Sequence, residues 1–130
     1  MKQVYVGGAH AGNIKENTKA VVRIAALVND AGAGKFFAIC PHPMGNVIYA
    51  DMDSEGESFA TSLRQAENFW LDGTMLMLHH CDFAIFRHSP ESAGVAEEIK
   101  HCELFNIPYT VIGDEISLTG MKLTLGNFLK

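Results

Sequence analysis

The chain has 130 residues and a mass of 14.2 kDa, enough for one domain with its own hydrophobic core. Hydrophobic residues make up 48% and charged residues 19%, a balance that excludes a disordered chain. The formal net charge of −5 comes with no basic cluster, which argues against an electrostatic grip on duplex nucleic acid. No apolar run reaches membrane length, and Met1-Lys2-Gln3-Val4-Tyr5-Val6 reads as a strand rather than a signal peptide. Cys40, Cys81 and Cys102 are an odd number without paired spacing. Reduced thiols in a cytoplasmic protein are the expected state.

Strand and helix periodicities alternate along the chain. Lys2 to Gly7 reads as a first strand, and Gly7-Gly8-Ala9-His10-Ala11-Gly12 as a flexible turn after it. From about Asn13 to Ala31, apolar residues at 20, 21, 24, 25, 27 and 28 keep helical spacing, and Gly32 and Gly34 close that helix. Phe36 to Cys40 is a buried second strand, cut off by Pro41 and Pro43, and a polar loop runs on through roughly Ser62. Leu63 to His79 returns to helical spacing, Asp82 to Phe86 is a third strand, and a helix from Ser92 reaches Phe105. Pro108 to Gly113 is a fourth strand. The tail reads either way: Ile116 to Leu118 and Met121 to Phe128 fit a further strand and a short helix, or an interface segment.

Such alternation predicts an α/β fold, a compact Rossmann/flavodoxin-like doubly wound parallel sheet forming a single domain over residues 1–130. Ligands of these sheets gather beyond the carboxyl ends of the strands, where the strand order switches. Three loops leave those ends: the turn 7–12, the loop 41–44 and the turn 87–94.

The most informative stretch follows the third strand, where Ser92-x-Gly94-x-x-x-Glu98 sits at a strand-to-helix handover. Free amides at a helix N-terminus attract phosphate or hydroxyl oxygens, and glycine lets a ligand come close to the backbone. Gly94 and Glu98 are one turn apart and share a helix face. A second reading of the same residues makes Ser89 the N-cap, Pro90 the first helical residue and Glu98 one more solvated charge.

With these loops placed, an ordered set of motifs comes together: Val4-Tyr5-Val6-Gly7-Gly8, Glu16-Asn17, Pro41-His42, Trp70-Leu71-Asp72-Gly73, Cys81-Asp82, Ser92-x-Gly94-x-x-x-Glu98 and Asn106-Ile107-Pro108. Over roughly residues 2–112 this set resembles the nucleoside 2-deoxyribosyltransferase-like superfamily, in particular its small branch related to deoxynucleoside monophosphate N-glycosidases. The resemblance implies an enzyme that cleaves or exchanges the N-glycosidic bond of a deoxynucleoside or its 5′-monophosphate. Glu98 would attack the anomeric carbon, and Ser92 and the Gly94 amide would hold the sugar's 5′ end. Gly8 and the residues after it would lie against base and sugar. The resemblance implies no metal or organic cofactor, and a homodimer or higher homo-oligomer.

The chain departs from the family pattern on the leaving-group side. Thr74 stands where the family usually has an aspartate against the base, and a hydroxyl is no general acid near neutral pH. Asp72 lies about 200° around the helix from Thr74. Ala9 and His10 replace a proline and an aromatic residue, so His10 is a candidate to stack on the base or to supply its proton. His42 is open between a structural hydrogen bond and substrate contact. A non-catalytic nucleotide-binding or sensor module is the alternative function.

Two other constellations are set aside. His79-His80-Cys81-Asp82 invites a metal, with His42, His88 and His101-Cys102 as possible further ligands, but adjacent helical residues diverge by about 100° and no paired-ligand spacing appears. Asp51-Met52-Asp53-Ser54-Glu55-Gly56 opens like a calcium loop, yet Ser62 falls where a bidentate glutamate is needed.

Overall fold

The structure, a computed structural model, describes residues 1–10, 12–44 and 69–130. The polar loop through Ser62, its calcium-like segment and the first six residues of the Leu63–His79 helix lie outside these. Elements follow in the order β1 (Lys2–Gly7), α1 (Ile14–Gly32), β2 (Phe36–Ile39), α2 (Phe69–His79), β3 (Phe83–Arg87), α3 (Ala93–Leu104), β4 (Tyr109–Ile112) and α4 (Leu118–Phe128). The four strands form one all-parallel sheet in the order β2-β1-β3-β4. The expected Rossmann/flavodoxin-like α/β architecture is therefore present, with the switch in strand order between β1 and β3.

Period-two alternation divides the core into two layers. Val4 and Val6 of β1, with Phe83 and Ile85 of β3, face a cluster built by Val21, Ile24 and Val28 of α1 and Met121 and Leu125 of α4. Tyr5, Ala84 and Phe86 face the opposite layer, with Leu78 of α2 and Val95 and Cys102 of α3. Central strands buried on both faces explain why β1 and β3 read as nearly unbroken apolar runs.

The helix ends follow from local chemistry. Asn13 caps α1, its side chain accepting from the Glu16 amide at 3.2 Å, and Glu16 complements the first turn. At the other end Ala33 itself takes the left-handed conformation, φ 48°, ahead of Gly34 at φ 83°. The left-handed turn thus starts one residue before the glycine expected to carry it.

Of the further strand and short helix that the tail could hold, the helix is present and residues 116–118 form no strand. Ser117 caps α4 by accepting from the Gly120 amide at 3.0 Å, and Arg23 of α1 donates to the carbonyls of Asp114 and Ile116. A carbonyl held by a guanidinium is not offered to a neighbouring strand. Ile116 packs against the α1 layer, and the Phe128 ring stacks on Phe83 at 4.7 Å. No helix among the described residues is long and apolar enough to cross a membrane.

Candidate active site

The loops after β1, β2 and β3 converge on one crevice at the switch in strand order, as such sheets dictate. There the described residues enclose a cavity of about 430 Å³, within the range for small-ligand sites. All seven residues singled out from the sequence line it: Gly8, His10, His42, Thr74, Ser92, Gly94 and Glu98. Tyr5 and Trp70 join them, and Glu97 reaches the rim with its side chain turned toward Lys100 at 3.9 Å.

Glu98 is the chemical centre. It is 6% exposed, so the reading of this residue as a solvated charge fails. The helix turn that places it one step below Gly94 aims it at β1, where the Tyr5 hydroxyl donates to its carboxylate. Burial pushes the Glu98 carboxyl up to about 7, while the Tyr5 hydrogen bond pulls it the other way. Tyr5, itself 1% exposed, has its phenol raised by burial and then by the Glu98 charge, so it stays a neutral donor. A carboxyl poised near neutrality inside a crevice is a frequent mark of a working group. Tyr5 was not singled out by sequence reasoning, although a signal existed. A tyrosine in a fully buried strand needs a partner for its hydroxyl, and Glu98 is the carboxylate whose helix face meets that strand.

Ser92, not Ser89, is the N-cap of α3; its hydroxyl accepts from the Val95 amide at 3.2 Å. The Ala93 and Gly94 amides, first in the helix, have no intrahelical acceptor and open toward the cavity wall that they help to form. Ser89 has a different task. It accepts from the Ala9 amide at 3.1 Å and donates to the Arg87 carbonyl at 3.0 Å, stitching the first loop to the third.

The first loop presses against the core. A Cβ on Gly8 would lie 3.0 Å from both Arg87 Cβ and Val21 Cγ2, so only glycine lets this loop pass there without displacing its neighbours. Arg87 is itself engaged, with its guanidinium on both oxygens of Asp114 at 2.7 and 2.8 Å and on Asn17 Oδ1 at 2.8 Å. Asn17 in turn donates to the His10 carbonyl at 3.4 Å, which braces the loop from the side of α1.

His42 makes the structural hydrogen bond, its Nε2 meeting the Ala9 carbonyl at 3.2 Å, and also stands in the cavity lining. A carbonyl can only accept, so Nε2 carries the proton. Burial, the largest influence, favours the neutral imidazole. The exposed His10 ring stands edge-on to it with centroids 5.5 Å apart. On the opposite wall Thr74 faces the cavity, its hydroxyl donating to the Leu71 carbonyl at 3.2 Å, while Asp72 is exposed and does not reach the cavity. Glu97 and Glu98 are thus the only carboxylates among the described lining residues.

None of the three cysteines lines this cavity. All three thiols are free, and burial pushes each of them up, Cys81 to about 11 and Cys102 to about 12. None is a thiolate near neutral pH. What the fold and site define is a small α/β protein with a buried, tyrosine-held carboxylate in a switch-point crevice, one helical turn from a pair of free amides. No family model, curated protein or solved structure matches the chain.

Proposed function

We propose that the protein cleaves or transfers the N-glycosidic bond of a deoxynucleoside or deoxynucleoside 5′-monophosphate, with Glu98 as nucleophile. The observation that carries this reading is the buried Glu98 carboxylate facing the crevice beside the N-terminus of α3. The family resemblance of the motifs points the same way. A Glu98 oxygen bonds to the anomeric carbon as the bond to the base nitrogen breaks, and the base leaves with that electron pair and gains a proton. Water or a second base then displaces Glu98, completing a double displacement. Tyr5 holds the carboxylate in register, and the His10 ring, which lines the cavity, is placed to stack on the base. The Ala93 and Gly94 amides receive the 5′ oxygen or phosphate. A cytoplasmic setting and a homodimer belong to the same reading.

Incubation with a panel of deoxynucleosides and their monophosphates, followed by chromatography for free base, tests it. Base release supports the enzyme. A second reading, a nucleotide sensor that has lost the chemistry, is favoured by the Thr74 hydroxyl standing where a proton donor is wanted. Ligand-induced thermal stabilisation without release supports that module, and neither signal defeats both readings.

Gly94 separates the ligand from the fold. A Cβ there would meet only Ser92 Oγ at 3.8 Å, an ordinary contact. Gly94→Ala is expected to stabilise α3 slightly, by about 0.5–1 kcal/mol as glycine leaves a helix. It is also expected to weaken binding of a deoxynucleoside monophosphate, because the methyl stands where an oxygen approaches the amide. Melting temperature and ligand titration on one preparation check both halves, and unchanged affinity would remove the anion from this wall.

The dimer has its own support. Leu76 on α2 is 66% exposed and Leu104 on α3 is 72% exposed, while Met75, Met77 and Leu78 of the same α2 turn inward. That is more apolar surface than one buried stripe requires. Light scattering at micromolar concentration is expected to give twice the 14.2 kDa chain mass; a monomer mass counts decisively against the dimer.

A further inference from the structure

At the end of the α2–α3 layer away from the cavity, three rings meet. His79 Nδ1 and His101 Nε2 stand 3.1 Å apart, although the two residues are 22 positions apart in sequence. Phe105 packs against both imidazoles, with centroids 5.0 Å from His79 and 4.6 Å from His101. In the sequence His79 stands beside His80, with His101 one of several possible further ligands. The fold instead pairs it with a histidine on the next helix.

We propose that His79 and His101 form a two-histidine site for a transition-metal ion of the zinc class, joining the C-terminal ends of α2 and α3. Two imidazole nitrogens on a tetrahedral zinc, with bonds of about 2.0–2.1 Å, lie roughly 3.3 Å apart, so the ion enters with a shift of a few tenths of an ångström. Imidazole nitrogen suits this class of ion. The exchange needs no proton to leave the protein. In the hydrogen-bonded pair one facing nitrogen carries a proton; a tautomeric shift moves it to the far nitrogen of the same ring, and two lone pairs then face the ion.

Two further features favour a cation here. His79 is the last residue of α2 and His101 lies in the last turn of α3, so both helix dipoles present their negative ends. Phe105, edge-on to His79, restricts the rotation of both rings, which lowers the entropic cost of ordering them around an ion. No group of three or more metal-ligating side chains gathers among the described residues, so water or a second copy of the pair completes the coordination. The ion would pin the C-terminal ends of the two helices whose middle turns carry Thr74 and Glu98.

Calorimetric titration of the chelator-treated full chain with zinc chloride tests the site. The expected result is one ion per chain, or one per two chains if a second copy supplies the remaining ligands. His79→Ala and His101→Ala should each weaken binding by at least the roughly 10- to 100-fold that loss of a mere supporting contact costs. His88→Ala, exposed on the β3–α3 turn, should leave it unchanged. Circular dichroism verifies that the variants are folded, and cobalt as a substitute ion should give tetrahedral visible absorption only when both histidines are present. Absence of zinc binding, or binding that survives both substitutions in folded protein, overturns the proposal. Neither outcome touches Glu98, whose base-release assay stands apart.

Discussion

Glu98→Gln is expected to abolish base release while making the protein more stable above neutral pH. A glutamine amide keeps the shape and still accepts from Tyr5, but it has no charge to bring to the anomeric carbon. Loss of an acting nucleophile lowers turnover on the order of 10⁴-fold or more. The stability half follows from linkage. The folded-state value of about 7 lies above the ordinary value of 4.5, so the native state holds the proton more tightly than the unfolded chain. The stability associated with that proton is present below about 4.5 and lost as pH rises through about 7, in total about 3 kcal/mol for a group this buried. Glutamine never ionises, so the variant should match the parent near pH 4 and melt higher at pH 8. Base release by the parent should rise with pH through about 7, because only the ionised carboxylate attacks. Glu103→Gln, on the same helix but turned toward Tyr109, should change neither property. Full activity in Glu98→Gln would end the mechanism. A parent rate that falls with rising pH would make Glu98 an acid instead.

Thr74→Asp is expected to raise base release by about 10²- to 10⁴-fold, the usual contribution of a positioned general acid. The new carboxyl would line the same cavity as Glu98, and two nearby carboxyls in a buried site resist ionising together. Sharing one proton leaves one carboxyl ionised to attack and the other protonated to serve the departing base, with apparent values that belong to the pair. The pH profile should therefore change from a single rise to a bell. Thr74 is partly exposed, and its hydroxyl donates to the Leu71 carbonyl within its own helix and also meets the Tyr5 hydroxyl across the site. A folded variant with no gain would mean that the base does not meet α2, or that His10 already supplies the proton.

The alternation of elements was legible because helices and buried strands leave different periods. Val4, Val6, Phe83 and Ile85 on one face, and Tyr5, Ala84 and Phe86 on the other, make the sheet readable from sequence. The three loops that meet at the cavity were legible for a topological reason: a parallel sheet fixes which ends carry ligands. Boundary chemistry was harder. Ser89 and Ser92 both suit an N-cap, and the choice turns on a long-range contact, since Ser89 bonds the Ala9 amide 80 positions away. The tail was ambiguous because Ile116 and Leu118 carry strand-like side chains. Their fate depends on Arg23, a residue distant in sequence that takes up the Ile116 carbonyl. Pairings between elements, such as Tyr5 with Glu98 and His79 with His101, leave no periodic trace at all.

Gly8 and Gly94 face one crevice, yet a population of variants would distinguish them. At position 8 any side chain runs into Arg87 and Val21, so selection for mere abundance of folded protein should already deplete every substitution. Position 94 has room for a methyl, and alanine there should persist, even prosper, when only abundance is selected. Under selection for turnover the two positions should become equally intolerant. The gap between the two selections at position 94 would then measure the ligand's demand on the backbone, free of any contribution from the fold.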